Sequence, residues 1–548
     1  MFKRKWLLLI VILFGGFLLL NACAGDAEEP VEEASTEESD AEADEQEAEE
    51  TEEATESDTA DESGGELHFA FNAQPPTLDP TGTTATATRD MIRNVFEQLV
   101  TFDSQMEVQP MLAESFEINE ENNQVIFELR EGVLFHNDKE MTSEDVVASM
   151  ERWAEQSAQA KSFLEGVTFE ADGDYTVIAQ LEKIGGIDMF IFADLTQIAA
   201  IMPKEVVEET GDELLTDLVG TGPYKFVEWA QDQHILLERF DDYQGLDEPT
   251  DGLTGKKEAY ADKIYFHVVT DPSTRVAGLQ SGEYQIANFL PQDSADRLSQ
   301  DDNIVTRPEI NSIPGFVFNK KEGIFSDQRM RQAFAAALNL EEVLHASYGS
   351  EEFYELSHEL MLEGTAWYTD AGRETYNEQD HEKAQQLMDE AGYDGEEIHI
   401  LTSREYEDYY TFAVVAQEQL KEIGMNIEVD VYDWSTVLEK REEPDEYDIF
   451  ISGWGIRPTP IQYPFLDSRA EWPGLTDSPE IDALIDDIQA TTDEEAQKEL
   501  VAELQAEVWD YLPILKPGNK IDLLGHRTSI DGLETLVGPI LYNISLDE

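Results

Sequence analysis

A single cysteine, Cys23, stands in a chain of 548 residues, and 35 lysines and arginines face 120 aspartates and glutamates. One thiol excludes an intramolecular disulfide, and there is no CxxC pair for zinc or redox chemistry. The shortage of base leaves a formal charge of −85. That excludes sequence-independent nucleic-acid binding, which needs clustered Lys and Arg to displace phosphate counterions. It also argues against electrostatic attachment to anionic lipid. Catalytic signatures are missing as well: no G-x-S-x-G elbow, no GxxxxGK[ST] loop and no HExxH helix. His358–Glu359 and His381–Glu382 each lack a second histidine four residues on, so both histidines are expected at the surface. Carboxylates are too abundant for any acid–base pairing to stand out. No metal-ligand spacing, cofactor motif or internal repeat of about 20–50 residues is visible, and the chain reads as a non-enzyme.

What is present is a sizeable apolar share, 41% with 10% aromatic, enough for about three domains or large lobes of roughly 100–200 residues each. The acid is unevenly spread. Residues 24–63 hold 20 Asp and Glu and no Lys or Arg, while residues 64–548 hold 100 acids and 32 bases. Hydrated carboxylates at this density keep a surface soluble and need salt to screen their mutual repulsion. The pattern reads as adaptation to a salty or alkaline medium that this surface meets.

The N-terminus fits that exposure. Lys3, Arg4 and Lys5 precede an apolar run of 15 residues from Trp6 to Leu20, short of the about 20 that span a bilayer. A charged start, a short apolar run and small residues ahead of a cut site read as a secretory signal peptide over residues 1–22. Leu20-Asn21-Ala22-Cys23 resembles the bacterial lipoprotein box. The resemblance implies that Cys23 is acylated and anchors the chain in the membrane through lipid. Residues 24–63 lack the apolar surface to offset the entropy of ordering. The stretch 23–65 is expected to be an extended tether, closed by Gly64 and Gly65.

From residue 66 onward the pattern is mixed α/β. Glu66–Phe71 alternates as a strand, the three prolines within 72–80 demand a loop, and Val125–Arg130 is strand-like again. Thr142 can cap a helix in which Asp145 completes a reciprocal capping box, with Val146, Val147, Met150 and Trp153 on one face. A tight turn at Gly220–Pro223 leads to a strand with Tyr224, Phe226 and Trp229 half-buried, returning as a hairpin through His234–Glu238. Ser326 can cap the helix of Met330, Phe334, Ala337 and Leu338. Asp380 can cap a helix that Gly392 stops. Glu397–Leu401, a helix near Glu407–Ile423 and the alternation Ile427, Val429, Val431 then make a βαβ unit.

Separated segments carry a resemblance. They are Thr77–Pro80, NVFEQLV at 94–100, PMLAESF at 110–116, Phe127–His136, Met141–Val147, GTGPYKF at 220–226, Glu238–Tyr243, Phe318–Asn319, Phe325–Phe334 and Ala337–Asn339. In this order and spacing, from about residue 66 to the C-terminus, they resemble the extracellular solute-binding proteins of ABC importers, in the peptide/nickel (oligopeptide- and dipeptide-binding) family. The resemblance implies a two-lobed α/β fold of the periplasmic-binding-protein type with an extra subdomain. By analogy lobe I takes about 66–107, 220–312 and 512–548, the extra subdomain about 108–219, and lobe II about 313–511. It implies a monomeric receptor on the outer face of the cell membrane. That receptor would capture a peptide or peptide-like solute between its lobes and hand it to permease subunits with cytoplasmic ATPases. A sensor lipoprotein of the same fold, or a secreted hydrolase, is the alternative.

One departure bears on the solute. The strand Tyr447–Trp454 is followed by Gly455, Ile456 and Arg457. Peptide-binding relatives place there an Asp that grips the peptide's α-ammonium. A guanidinium repels an ammonium and suits a carboxylate or phosphate. An anionic or carbohydrate-like solute, or a metal chelate, thus stands beside a peptide, unless Arg457 pairs with a carboxylate and faces away. Trp454, at a strand end, is a candidate cleft wall or a core residue. Asn319, Trp367, Tyr368, Gln462 and Tyr463 are further candidates on lobe II. Phe71, Asn72, Gln74 and Phe289, at strand ends, are candidates on lobe I.

Overall fold

The computed structural model describes residues 64–546. The expected signal peptide, Cys23 and most of the acidic tether lie outside the described residues. Gly64 and Gly65 belong to the body: their N–H groups donate to Tyr260 O at 2.7 Å and Asp262 Oδ2 at 3.1 Å.

A 12-stranded sheet runs through the body. Its strands are β1 Glu66–Phe71, β2 Tyr224–Ala230, β3 His234–Arg239, β4 Lys263–Val268, β5 Ile286–Leu290, β6 Ile304–Phe318, β7 Tyr354–Glu355, β8 Glu397–Ser403, β9 Asn426–Tyr432, β10 Ile449–Gly455, β11 Ile514–Leu515 and β12 Asn519–Arg527. They lie in the order β9-β8-β10-β6-β12-β5-β1-β4-β3-β2, with β7 beside β12 and β11 beside β6. β1 is parallel to both β4 and β5, and Leu67, Phe69, Ala70 and Phe71 are all buried. A strand covered on both faces tolerates such a continuous apolar run. At the far end β8 and β9 are parallel, from Glu397 opposite Asn426 to Ser403 opposite Tyr432. The helix Glu407–Lys421 joins them, as the βαβ pattern predicts.

The architecture has two lobes, one built on β1–β5 and one on β8–β10, and the long strand β6 serves both. Its first part pairs with β12, from Ile304 opposite Arg527 to Ser312 opposite Lys520. Its second part pairs with β10 on the other edge, from Ser312 opposite Gly455 to Phe318 opposite Ile449. A register shift separates Ile310 from Ser312, where the partner changes. On the β10 edge, residues 304–311 have no strand partner among the described residues. A second crossing lies beside it, where the chain passes from β11 to β12.

The extra subdomain is a four-stranded antiparallel sheet of Ala113–Asn119, Gln124–Leu129, Thr176–Gln180 and Thr168–Ala171, with the helix Ser143–Gln156 packed on it. That helix starts as its sequence requires. Thr142 is extended, and the capping box with Asp145 is present, Asp145 Oδ2 accepting from the Thr142 N–H at 3.0 Å.

Three local expectations are corrected. The cap of helix Gln328–Ala337 is Asp327, whose carboxylate accepts from the Arg329 N–H at 2.9 Å. Ser326 sits one residue earlier in a 3₁₀ turn, and its hydroxyl donates to Gly323 O. Tyr224 is fully buried, while Phe226 and Trp229 are partly so, because β2 enters the sheet at that residue. His358 is buried, not at the surface: its ring meets Asp370 O at 3.0 Å and Glu359 at 3.1 Å. His381 is exposed.

Asp79 ties the loop after β1 to the subdomain. It is 0% exposed, and its carboxylate accepts from Arg152 Nη2 at 2.7 Å, the Leu215 N–H at 2.7 Å and the Thr81 N–H at 2.8 Å. Burial pushes this carboxyl up, but Arg152 and the two N–H groups outweigh burial and hold it below its ordinary value. Removing one partner of such a buried pair leaves the other charge uncompensated. Asp79→Ala is therefore expected to lower the unfolding free energy by about 3–5 kcal/mol in urea at neutral pH. The pair's stability is complete above the unfolded carboxyl value near 3.8 and is lost as pH falls through the lower folded value. The gap between Asp79→Ala and wild type should shrink on acidification. An equal gap at pH 7 and at about pH 3 would contradict this account.

Candidate functional site

A cavity of about 560 Å³ opens where β6 changes partner, within the roughly 300–1,000 Å³ of small-molecule sites. Both lobes line it, as do the two strands between them. Lobe I contributes Arg89 and Asp90 of the helix Thr86–Ile92, Asn288 and Phe289 at the end of β5, and the turn 535–539. Pro308–Asn311 of β6 and Asp522–Leu524 of β12 form the back wall, and Met361–Thr365 close it together with Ile456 and Arg457, just past the end of β10. The ends of β5 and β10 meet here, the usual ligand position in open α/β sheets. A larger recess of about 740 Å³ lies elsewhere, between Asp103–Glu131 and Gly245–Gly255. It is ringed by carboxylates and touches neither lobe II nor the crossing strands.

Two arginines build the lobe I wall. Arg275, on the helix Pro272–Ser281, donates to Asn288 O at 3.0 Å, Phe289 O at 2.7 Å, Val269 O at 2.7 Å and Thr270 O at 3.1 Å. This clamp holds a break in the β5–β12 register between Ala287 and Leu290, with Phe289 at φ +46°. A non-glycine residue adopts that backbone only when its surroundings over-determine it, and such strain gathers at binding sites. Arg93 does the same for the turn opposite, donating to Leu536 O at 3.1 Å and Val537 O at 3.2 Å.

On lobe II, Arg457 reaches the cavity and the subdomain together. Its Nη1 donates to Thr196 Oγ1 at 3.0 Å, and its Nε is buried without a hydrogen-bond partner. Thr196 in turn donates to Asp194 Oδ1 at 2.9 Å. Among the described residues Arg457 makes no ion pair with a carboxylate. Five residues on, Gln462 Nε2 donates to Gln159 Oε1 at 3.1 Å and Asp194 Oδ1 at 3.3 Å. The loop after β10 thus lies against the subdomain.

The candidate residues divide accordingly. Arg457 and Phe289 line the cavity. Asn72 reaches it indirectly, its N–H donating to Asn288 Oδ1 at 3.1 Å. Trp454 is 7% exposed and packs on Phe465 and Trp472. Tyr463 is buried and stacks on Phe465, and Trp367 is buried against Phe190 of the subdomain. Asn319 is buried in a turn, donating to Pro444 O and Tyr447 O. Phe71 packs on Phe69 in the core, Tyr368 is 37% exposed, and Gln74 bonds Gln231 at the surface. Arg275, Asn288, Glu309 and Asp522 were not singled out from sequence. Only Asn288, next to Phe289 at a strand end, carried a local signal.

Residues 107–471 match the family described as "Bacterial extracellular solute-binding proteins, family 5 Middle". The chain is 26% identical to "Probable peptide ABC transporter periplasmic-binding protein y4tO" of Sinorhizobium fredii, over 85% of this chain and 91% of that protein. It is 26% identical to "Oligopeptide-binding protein AppA" of Bacillus subtilis, over 88% and 91%. Among solved structures it is similar to the ABC transporter substrate-binding protein CtaP of Listeria monocytogenes. The TM-score is 0.74 at 25% identity, covering 86% of this chain and 95% of that one.

The Arg275 clamp has a direct test. Arg275→Ala removes a charged donor from four carbonyls and is expected to lower the unfolding free energy by about 3 kcal/mol or more. Amide exchange should quicken over residues 286–291. Unchanged protection there would show that β5 holds the Phe289 turn without Arg275.

Proposed function

Belonging to the family 5 bacterial extracellular solute-binding proteins, this chain is a solute receptor, and we propose that it serves an ABC importer by capturing a peptide or peptide-like solute between its lobes. Permease subunits with cytoplasmic ATPases are the partners that would take the solute onward. Curated relatives carry peptide-transport names, and they are receptors, so the chain acts by binding and not by catalysis.

The observation that carries the peptide reading is the free edge of β6. Pro308–Asn311 face a cavity walled by both lobes, on an edge that β10 leaves unpaired below Ser312. An extended peptide can satisfy such backbone groups as an added strand, with side chains in flanking pockets. Arg457 favours a guest that also brings an anionic group, because it lines the cavity without a carboxylate partner among the described residues and a carboxylate matches a guanidinium.

In the proposed division, lobe I is about 66–107, 220–312 and 512–548, the subdomain about 108–219, and lobe II about 313–511. The change of partner within β6 supports a hinge at Asn311–Ser312, with the 516–519 passage beside it. A guest that touches both lobes favours the closed arrangement, and only by the difference in its affinity for the two states. Acylation of Cys23 would keep this receptor at the outer membrane surface, with 24–63 as its leash.

Two measurements test this reading. Native mass spectrometry of the full-length chain in detergent should capture members of a mixed peptide library, and Arg457→Ala should weaken the best of them by about tenfold or more in calorimetry. Unchanged affinity would remove Arg457 from the site, and no capture would refute the peptide assignment. Separately, Cys23→Ser should move the chain from the membrane fraction to the soluble fraction. Retention in the membrane would mean the anchor is not lipid on Cys23.

A further inference from the structure

The subdomain is fixed to lobe I by buried polar bonds and seated on lobe II by a close backbone approach. On the lobe I side the Arg152–Asp79 pair is joined by Gln197 Nε2, which donates to Thr81 O at 2.7 Å, and by the Ile201 N–H, which donates to Glu97 O at 3.0 Å. On the lobe II side two glycines make the approach. Gly185 and Gly186 precede the short helix Asp188–Phe192 and meet the junction of the helices Pro479–Ala490 and Glu494–Tyr511. A Cβ on Gly185 would overlap Gln489 O, and one on Gly186 would overlap Thr491 O and Gln497 Nε2. Neither glycine adopts a left-handed backbone, so the closeness of the two chains, and not a dihedral angle, demands glycine here. The last carbonyls of a helix have no partner within it. Gln497 Nε2 takes Ile488 O at 2.9 Å, and the Gly186 N–H takes Gln489 O at 3.0 Å, so the subdomain supplies part of the cap of a lobe II helix. Asp188 Oδ2 accepts from the Gly185 N–H at 2.7 Å and fixes the turn that presents Gly186. Phe190 meets Trp367 beside it, with 5.2 Å between ring centres.

We propose that the subdomain is a clasp: Gly185 and Gly186 seat it on lobe II outside the cleft, and this seat breaks each time the lobes part. This rests on the receptor reading above and adds to it a closing contact that no guest touches. No residue of 184–192 or 488–497 lines the cavity. The junction is also less filled than a core: a recess of about 340 Å³ enters it between Ile184, Gly185 and Asp188 on one side and Asp486, Gln489 and Ala490 on the other. A contact away from the cleft favours the closed arrangement by the same amount whatever the guest. It sets the fraction of molecules ready to hold a guest, and apparent affinity scales with that fraction. A cavity-wall residue, in contrast, acts on each guest according to the groups it meets. The coupling is reciprocal, so a guest that draws the lobes together also protects the clasp.

The test uses the full-length chain in detergent, a mixed tripeptide library and amide exchange read by mass spectrometry. In wild type, residues 184–192 and 488–491 should exchange at one shared rate, faster than the core strands β1 and β10. Saturation with the tightest library member should slow both segments by about threefold or more. Gly186→Val overfills the seat. It should weaken every library member that binds by one common factor, about threefold or more in calorimetry, and leave their order of preference unchanged. Should Gly186→Val fail to fold, the wild-type exchange decides alone. The clasp is overturned, with the receptor reading intact, if the two segments exchange at separate rates or as slowly as the core. It is equally overturned if a bound tripeptide leaves their exchange unaltered, or if Gly186→Val leaves all affinities as they were or shifts members by different factors. If no tripeptide binds, the peptide reading falls, and the shared opening rate of the two segments still decides whether the clasp stands.

Discussion

Everything in this molecule that concerns a guest hangs on one strand. β6 is a single 15-residue element hydrogen-bonded to lobe I through β12 and to lobe II through β10. Its first half pairs on the β12 edge alone, its second half with β10 on the other edge and β11 on the β12 side, and the ladder shifts register near Asn311–Ser312, where the change occurs. The same change of partner leaves residues 304–311 unpaired on the β10 edge, and Pro308–Asn311 line the cavity. The cavity wall and the exposed backbone therefore share one pairing pattern.

The charge economy of the chain is the second organising fact. Acids outnumber bases by 120 to 35, yet several buried cations are spent on backbone carbonyls and not on acids. Arg331 donates to Phe325 O and Tyr511 O, Lys320 to Phe318 O and Pro513 O, and Lys516 to Ser357 O and Glu359 O. Arg275 and Arg93 do the same at the cavity. These carbonyls lie at strand ends, helix ends and turns, where regular pairing runs out. A guanidinium with five donors satisfies several at once, so each such arginine fixes a loop that sequence propensity leaves free. Buried ion pairs such as Arg152–Asp79 and Lys257–Glu97 join separate segments instead. The acids, with few bases left to meet them, sit mostly on the surface in water.

Local rules in the sequence reached the elements and stopped short of the site. β1, the Thr142 capping box and the β8–β9 unit were legible because each depends on residues within a few positions of one another. The cap at Asp327 was missed by one residue because Ser326 and Asp327 are both good caps and a 3₁₀ turn decides between them. His358 reads as a surface residue until the chain folds Asp370 and Trp509 over it. At the cleft, strand ends located Phe289 and Arg457. Trp454 also stands at a strand end, but its side chain faces the Phe465–Trp472 packing, and sequence alone does not reveal which way a terminal side chain turns. Glu309 and Asp522 were invisible for a stronger reason. Their meeting depends on a pairing between residues more than two hundred positions apart, and in a chain this acidic no single carboxylate attracts notice.

The position of those charges matters for how a guest could work the hinge. Moving a two-state equilibrium from mostly open to mostly closed takes about 5.5 kcal/mol of preference for the closed form. A guest held by one lobe alone supplies none, since it binds open and closed forms equally. Arg457 moves with lobe II, while Glu309 and Asp522 lie on the lobe I side of the partner change at Ser312. Both groups line the same cavity. The loop carrying Arg457 also bonds Thr196 on the subdomain at 3.0 Å.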